Sequence, residues 1–363
     1  MRIMNMYYKN IALLIIFMLS LSMFSQETLT KEIKESFEMT NAGELHINNK
    51  YGKIAINGWE KDNIEIVISV KVSNKKKKNA KSLIDRIEPN FRIANNYVSV
   101  ISEISDKNTS LFSRYFNKVN PFEFDKGNVE INFTVYLPIN AELDITNKFG
   151  DVIIENWTGK LNANIEHGDL WINESIVNAN VEMKFGKLRT KSMTYGTISL
   201  KNGSIDIEES QDLVLKTSGA DIEIDKVNTL KFTSSKDEAR IGYIERLEGD
   251  IRFSNIEVEE IGKNIDLTMK VADFKVLRIN QEDAQVTINQ ESSDISINIS
   301  QLSFKFDATL EQGLLRLSKS FYNIKNNVLD EEKRLRNIKA SFGATLTGTF
   351  TFTGKKGVIT LKE

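Results

Sequence analysis

His46 and His167 are the only histidines in this 363-residue chain, and it has no cysteine. That removes disulfides, thiolate metal sites and thiol nucleophiles, and the places of the two histidines disfavour a histidine-based metal centre or triad. His46 sits between Leu45 and Ile47 in an alternating pattern and so faces outward, whereas His167 fills the aromatic position before Gly168 that Phe149 and Phe185 hold before Gly150 and Gly186. Gly150-Asp151, Gly168-Asp169 and Gly249-Asp250 invite comparison with calcium-binding β-rolls, but the glycine-dense nonapeptide of those rolls is missing. Aspartate is also a common turn residue, because its carboxylate accepts nearby backbone N–H groups. Glu208-Glu209 and Glu259-Glu260 would serve glycoside chemistry only from one cleft. Neighbours along a strand point to opposite faces, which disfavours both pairs and leaves open only carboxylates that meet between adjoining passes of the chain. Trp171, outward between Leu170 and Ile172, suits stacking on a sugar ring or packing against a loop. No catalytic, cofactor-binding or metal-binding residue is assigned, ligand-binding residues are left open, no cofactor is expected, and the reading is not an enzyme.

These residues ride on a repeat. Glu44 to Trp59, ELHINNKYGKIAINGW, matches Glu142 to Trp157, ELDITNKFGDVIIENW, at an offset of 98 without a gap and with eight identities. Each copy is an apolar-alternating strand, a polar-aromatic-Gly turn and a second alternating strand, which is a β unit. Apolar residues stand two and four places after Gly150, Gly168, Gly196, Gly203, Gly249 and Gly357; Gly186 half obeys with Leu188 and Thr190, and Gly219 and Gly343 break the rule by one residue, predicting a register change or bulge. Gly150, Gly168 and Gly186 are 18 residues apart. That spacing suits one coil of a β-solenoid at roughly 3.3 Å per residue, in preference to a β-sandwich, whose hairpins favour Asn-Gly or Asp-Gly turns and variable spacing.

Four segments follow. Residues 1–25 carry Arg2 and Lys9 before an uncharged apolar run from Ile11 to Phe24, which reads as a signal peptide cleaved between Ser25 and Gln26, in preference to an uncleaved anchor. Its removal takes the formal net charge from −2 to −4, so nothing points to nucleic acid, and no later stretch is apolar enough to span a membrane. Residues 26–40 read as a loosely held polar leader, and 41–138 as an N-terminal β module. Within that module Ala80, Leu83, Ile84 and Ile87 predict a helix over 77–88 stopped by Pro89, after a lysine run read as a solvated linker, and an aromatic-rich loop spans 105–128. Residues 139–363 contain no proline and read as the solenoid, closed by strands over 349–361 with Lys355, Lys356 and Lys362 shielding the last edge. The fold class expected is all-β: a mostly parallel β-solenoid with one short amphipathic helix.

Val135 to Ile172, VYLPINAELDITNKFGDVIIENWTGKLNANIEHGDLWI, resembles the bacterial putative adhesin family of β-strand repeat proteins, a domain of unknown function. The likeness lies in the strand ending at Pro138, the Asn-Lys-aromatic-Gly-Asp turn and the recurring Gly-Asp-apolar units. It implies an exported, non-catalytic β-solenoid of the cell envelope, periplasmic or at the surface, and carries over no site residues. The function expected is a structural or adhesive binding module whose envelope or surface ligand is a polysaccharide or protein. The alternatives are a polysaccharide-acting enzyme on a β-helix and a regulatory partner in envelope signalling.

Overall fold

The computed structural model describes residues 27–104 and 129–363. The expected signal peptide and the aromatic loop 105–128 lie outside the described residues. The described chain is all-β with one helix, and its strands join one mixed sheet. The first part comprises β1 (Glu27–Glu38), β2 (Glu44–Asn49), β3 (Ile54–Trp59), β4 (Asn63–Asn74), α1 (Lys77–Ile84), β5 (Ile87–Ala94), β6 (Tyr97–Ile104) and β7 (Val129–Pro138). There follow β8 (Glu142–Lys148), β9 (Val152–Glu155), β10 (Lys160–Glu166), β11 (Leu170–Lys184), β12 (Lys187–Ser235), β13 (Glu238–Arg252), β14 (Asn255–Lys270), β15 (Asp273–Ile279), β16 (Gln285–Glu291) and β17 (Asp294–Asn298). The last are β18 (Phe304–Glu311), β19 (Leu314–Leu317), β20 (Tyr322–Asp330), β21 (Leu335–Phe342), β22 (Gly348–Lys355) and β23 (Val358–Lys362).

The sequence repeat is a pairing. β2 lies parallel to β8 with Leu45 opposite Leu143 and Ile47 opposite Ile145, and β3 lies parallel to β9 with Ile54 opposite Val152, so the offset of 98 is the register between two neighbouring passes. From β8 the chain returns on itself every 18 residues, Leu143 to Leu161 to Ala179, and then every 17, as Ile222 to Ala239 to Ile256. Alternation puts one set of side chains on the inner face at every return, and those rows form a continuous buried core. Each fully buried Leu or Ile there contributes roughly 1.5–3 kcal/mol relative to exposure. Without proline the ladder is not interrupted, and β12 runs for 49 residues.

The sheet is mixed and not mostly parallel, which corrects that part of the expectation. Antiparallel pairs β1–β4, β4–β7 and β5–β6 cover one end of the parallel passes, and β18–β21 and β20–β21 cover the other. Parallel strands stacked in one direction end in rows of unpaired N–H and C=O groups, and hairpins cover those rows with short connections.

Three local expectations also change. Residues 27–38 are not loose but pair along their length with β4, with Leu29, Ile33 and Phe37 half-buried on one face. The helix is a turn shorter than 77–88: Ala80 and Ile84 bury its stripe, but Ile87 opens β5, where Pro89 is tolerated because among the described residues β5 pairs only with β6. The C-terminal strands do not close the far end. β22 lies between β16 and β18, and β23 between β17 and β19, so Lys355, Lys356 and Lys362 guard no edge, and the outermost strands at this end are β19 and β20.

An aromatic corner and two polar faces as the candidate functional surface

Each pass turns a corner at one left-handed residue. Tyr51, Phe149, His167, Phe185, Asn202, Gly219, Lys236, Phe253, Val271, Ser292, Gln312 and Lys356 all have positive φ. On neighbouring passes they occupy the same place, as Phe149 N–H to Glu166 C=O and His167 N–H to Lys184 C=O show. The rings of Tyr51, Phe149, His167 and Phe185 stack in that order, with centroids 5.7, 5.1 and 4.8 Å apart and planes within 10°. Tyr195 stands elsewhere, opposite Asn178 in mid-strand.

The glycine that follows Phe149, His167 and Phe185 is needed for close approach and not for its φ. A Cβ on Gly150, Gly168 or Gly186 would lie 2.0 Å from the carbonyl oxygen of Gly52, Gly150 or Gly168 respectively. Gly219 breaks the sequence rule because it occupies the left-handed position itself, one residue before the glycine column, so no bulge is required there. Phe253, the apolar residue four places after Gly249, holds the same left-handed place and is exposed, while Gly249 faces inward and leaves room beside Phe232.

The carboxylates of the first two Gly-Asp pairs bond the next pass. Asp151 Oδ1 accepts from Asp169 N–H at 3.0 Å, and Asp169 Oδ1 from Lys187 N–H at 2.7 Å. Asp250 instead pairs with Arg252 at 2.7 Å. Among the described residues no three metal-ligating side chains converge. Just before the corner, Glu166 accepts from Lys148 at 2.8 Å and Lys184 at 3.0 Å, and these two ammonium groups lower its carboxyl pKa from 4.5 to about 2.

One corner feature gave no clear signal in the sequence. Asp237 is buried, and its carboxylate accepts from Thr217 Oγ1 at 2.5 Å, Ser234 Oγ at 2.7 Å, Ala220 N–H at 2.8 Å and Ser235 N–H at 3.0 Å. Its chain neighbours Ser234, Ser235 and Lys236 are ordinary turn residues, and only the stack brings Thr217 and Ala220 alongside.

The outward side chains form rows of differing chemistry on the two sides of the corner. Before it run His46, Asp144, Asn162, Asn180 and Thr197, opposite one another in turn. His46 is outward as expected, its Nδ1 3.2 Å from Asp144 Oδ2. After the corner the rows are more charged, with Lys187, Asp206, Asp221, Glu223, Glu238 and Arg240 around an open depression of about 310 Å³. Trp171 lies on that side, outward and 40% exposed, with Ile153 and Arg189 as its ladder neighbours. Glu208 and Glu209 are both exposed, as the chain turns between them, and Glu209 pairs with Lys226 at 2.9 Å. Glu259 and Glu260 also both face solvent, and Glu260 pairs with Arg278. Adjacent carboxylates therefore do share a side where the chain bends, but Glu209 and Glu260 each meet a cation and not a second carboxylate.

Among known proteins, no family model matches the chain and no curated protein does. Solved structures it is similar to include a putative cell adhesion protein from Clostridium sporogenes, at 12% identity and TM-score 0.18 over 92% of this chain and 99% of that one. A putative adhesin from Parabacteroides merdae shares 16% identity at TM-score 0.34 over 75% and 96%. A putative lipid binding protein from Parabacteroides distasonis shares 10% at TM-score 0.34 over 74% and 93%. At these scores the likenesses establish no family membership.

Proposed function

We propose that this chain is an exported, non-catalytic module of the cell envelope, an adhesin-like protein that binds through the outer faces of a β-solenoid formed by its parallel passes. The carrying observation is the row arrangement: the same outward position recurs on each pass, as in Asp144, Asn162, Asn180 and Thr197, so a face displays similar hydrogen-bonding groups at strand spacing of about 4.8 Å. Such a face suits a repetitive or extended ligand, and a core this continuous holds it rigid. Among the described residues no helix is long and apolar enough to cross a membrane.

Mass spectrometry of the protein recovered from an envelope fraction tests export, with processing after Ser25 as the expected result. Incubation with envelope polysaccharides, read both as co-sedimentation and as release of reducing ends, tests the rest. Retention without release supports a binding module, and release that persists in the purified protein would establish the enzyme alternative.

A further inference from the structure

One stretch of the face before the corner forms an open polar groove. Lys160, Asn178 and Tyr195 form one outward row, Asn162, Asn180 and Thr197 the next, and between them runs an open groove of about 300 Å³ over the backbone of Leu161, Ala179 and Gly196. Asp212 extends the first row on the following pass. Some outward polar neighbours bond to each other across the ladder, among them Asn228 to Gln211 at 2.7 Å, Asn173 to Glu155 at 3.0 Å, and Lys184 to Glu166 at 3.0 Å on the same strands that carry Asn162 and Asn180. In the groove, among the described residues, the side chains of Asn162, Asn178, Asn180, Tyr195 and Thr197 make no hydrogen bond within the protein. Three amides, a hydroxyl and a phenol thus line one trough with their capacity unused, and Tyr195 is 50% exposed.

We infer that this groove binds a neutral oligosaccharide, an inference that rests on the reading of the chain as a binding module. Amides and hydroxyls both donate and accept, which matches sugar hydroxyls, and the exposed face of Tyr195 offers a surface for the C–H side of a sugar ring. The lining contains one cation, Lys160, already paired with Glu142 at 3.1 Å, and one anion, Asp212, so it selects for neither sign of charge. Four passes at about 4.8 Å give a trough long enough for a short run of sugar rings. An extended peptide fits less well, because β10 and β11 are paired on both sides and leave no free backbone edge for an added strand.

The test is an array of glucose, mannose and N-acetylglucosamine oligomers, with uronic-acid oligomers and extended peptides as further arms, followed by titration of whatever binds. Expected is binding of a neutral oligomer that Tyr195→Ala and Asn180→Ala each weaken about tenfold, with Trp171→Ala on the other face unchanged. Neutral binding indifferent to Tyr195→Ala and Asn180→Ala overturns the groove and leaves the module reading intact. Binding of acidic oligomers or peptides alone, or of nothing on the array, overturns the ligand class. In that event retention by envelope fragments decides separately whether the chain is a binding module.

Discussion

The imidazole of His167 lies 4.8 Å from the ring of Phe185 with the two planes 5° apart, and Phe149 covers its other face at 5.1 Å. Each ring is carried by a left-handed residue, so replacing one non-glycine by another leaves the backbone strain nearly constant and reads the ring alone. His167→Ala should lose two stacks, roughly 0.5–1.5 kcal/mol each, and His167→Phe should stay within about 0.5 kcal/mol of the parent. Urea denaturation measures both, and equal stability of the two variants would remove the ladder's energetic role.

Gly168→Val places carbon against the carbonyl of Gly150, 2.0 Å from where the Cβ would stand, and backbone cannot move aside as a side chain can. A cost of about 3 kcal/mol is expected. Asp169→Ala removes a 2.7 Å bond to Lys187 N–H and should cost about 1 kcal/mol. Melting temperatures that fall equally in the two variants would contradict the close-approach argument.

Glu166 supplies a pH signature. Its carboxyl is depressed by Lys148 first and Lys184 second, so it stabilises the fold at pH above its unfolded value near 4.5, and that contribution is lost as pH falls through about 2. Wild type and Glu166→Gln should differ in unfolding free energy at pH 7 and converge towards pH 2. A gap that is the same at both pH values would refute the assignment.

Asp237→Ala leaves the Thr217 and Ser234 hydroxyls and two backbone N–H groups without their acceptor inside the corner. Loss of about 3 kcal/mol is expected, against less than about 0.5 kcal/mol for exposed Asp221→Ala. Similar chemical-denaturation midpoints for the two would show that the buried network is replaceable.

β20 exposes Ile324, Val328 and Leu329 and among the described residues pairs only with β21, whereas the edge strand β1 at the other end is rich in Lys and Glu. An apolar open edge promotes association. Val328→Lys should reduce light scattering of concentrated protein while leaving thermal stability within about 0.5 kcal/mol. Unchanged scattering would show that this edge is not the adhesive one.

The rows of the core were legible because alternation has period two and the passes have nearly constant length: Leu143, Leu161 and Leu170 could be placed inward from the sequence alone. The ring ladder was legible for the same reason, since Phe149, His167 and Phe185 are 18 apart. What stayed hidden depended on pairings between distant segments. Nothing local in Glu27–Glu38 marks it as the partner of Asn63–Asn74, and the place of Val358–Lys362 between β17 and β19 is a matter of insertion order, which periodicity does not encode. The polar groove at Tyr195 was hidden too, because its residues come from four passes that each look like ordinary solvated strand.

That insertion bears on how the molecule is assembled. Residues 304–342 leave the ribosome before 348–362, yet β18 and β19 have no parallel neighbour until β22 and β23 slide in beside them. During synthesis this end must therefore wait with Phe304 and Phe306 lacking Phe350 and Phe352 as partners, and with the edges of β16 and β17 open. A chain stalled before residue 348 would hold the earlier passes complete and this end unfinished. Residues 348–362 thus act as a keystone, and completion of the whole stack is timed to their arrival.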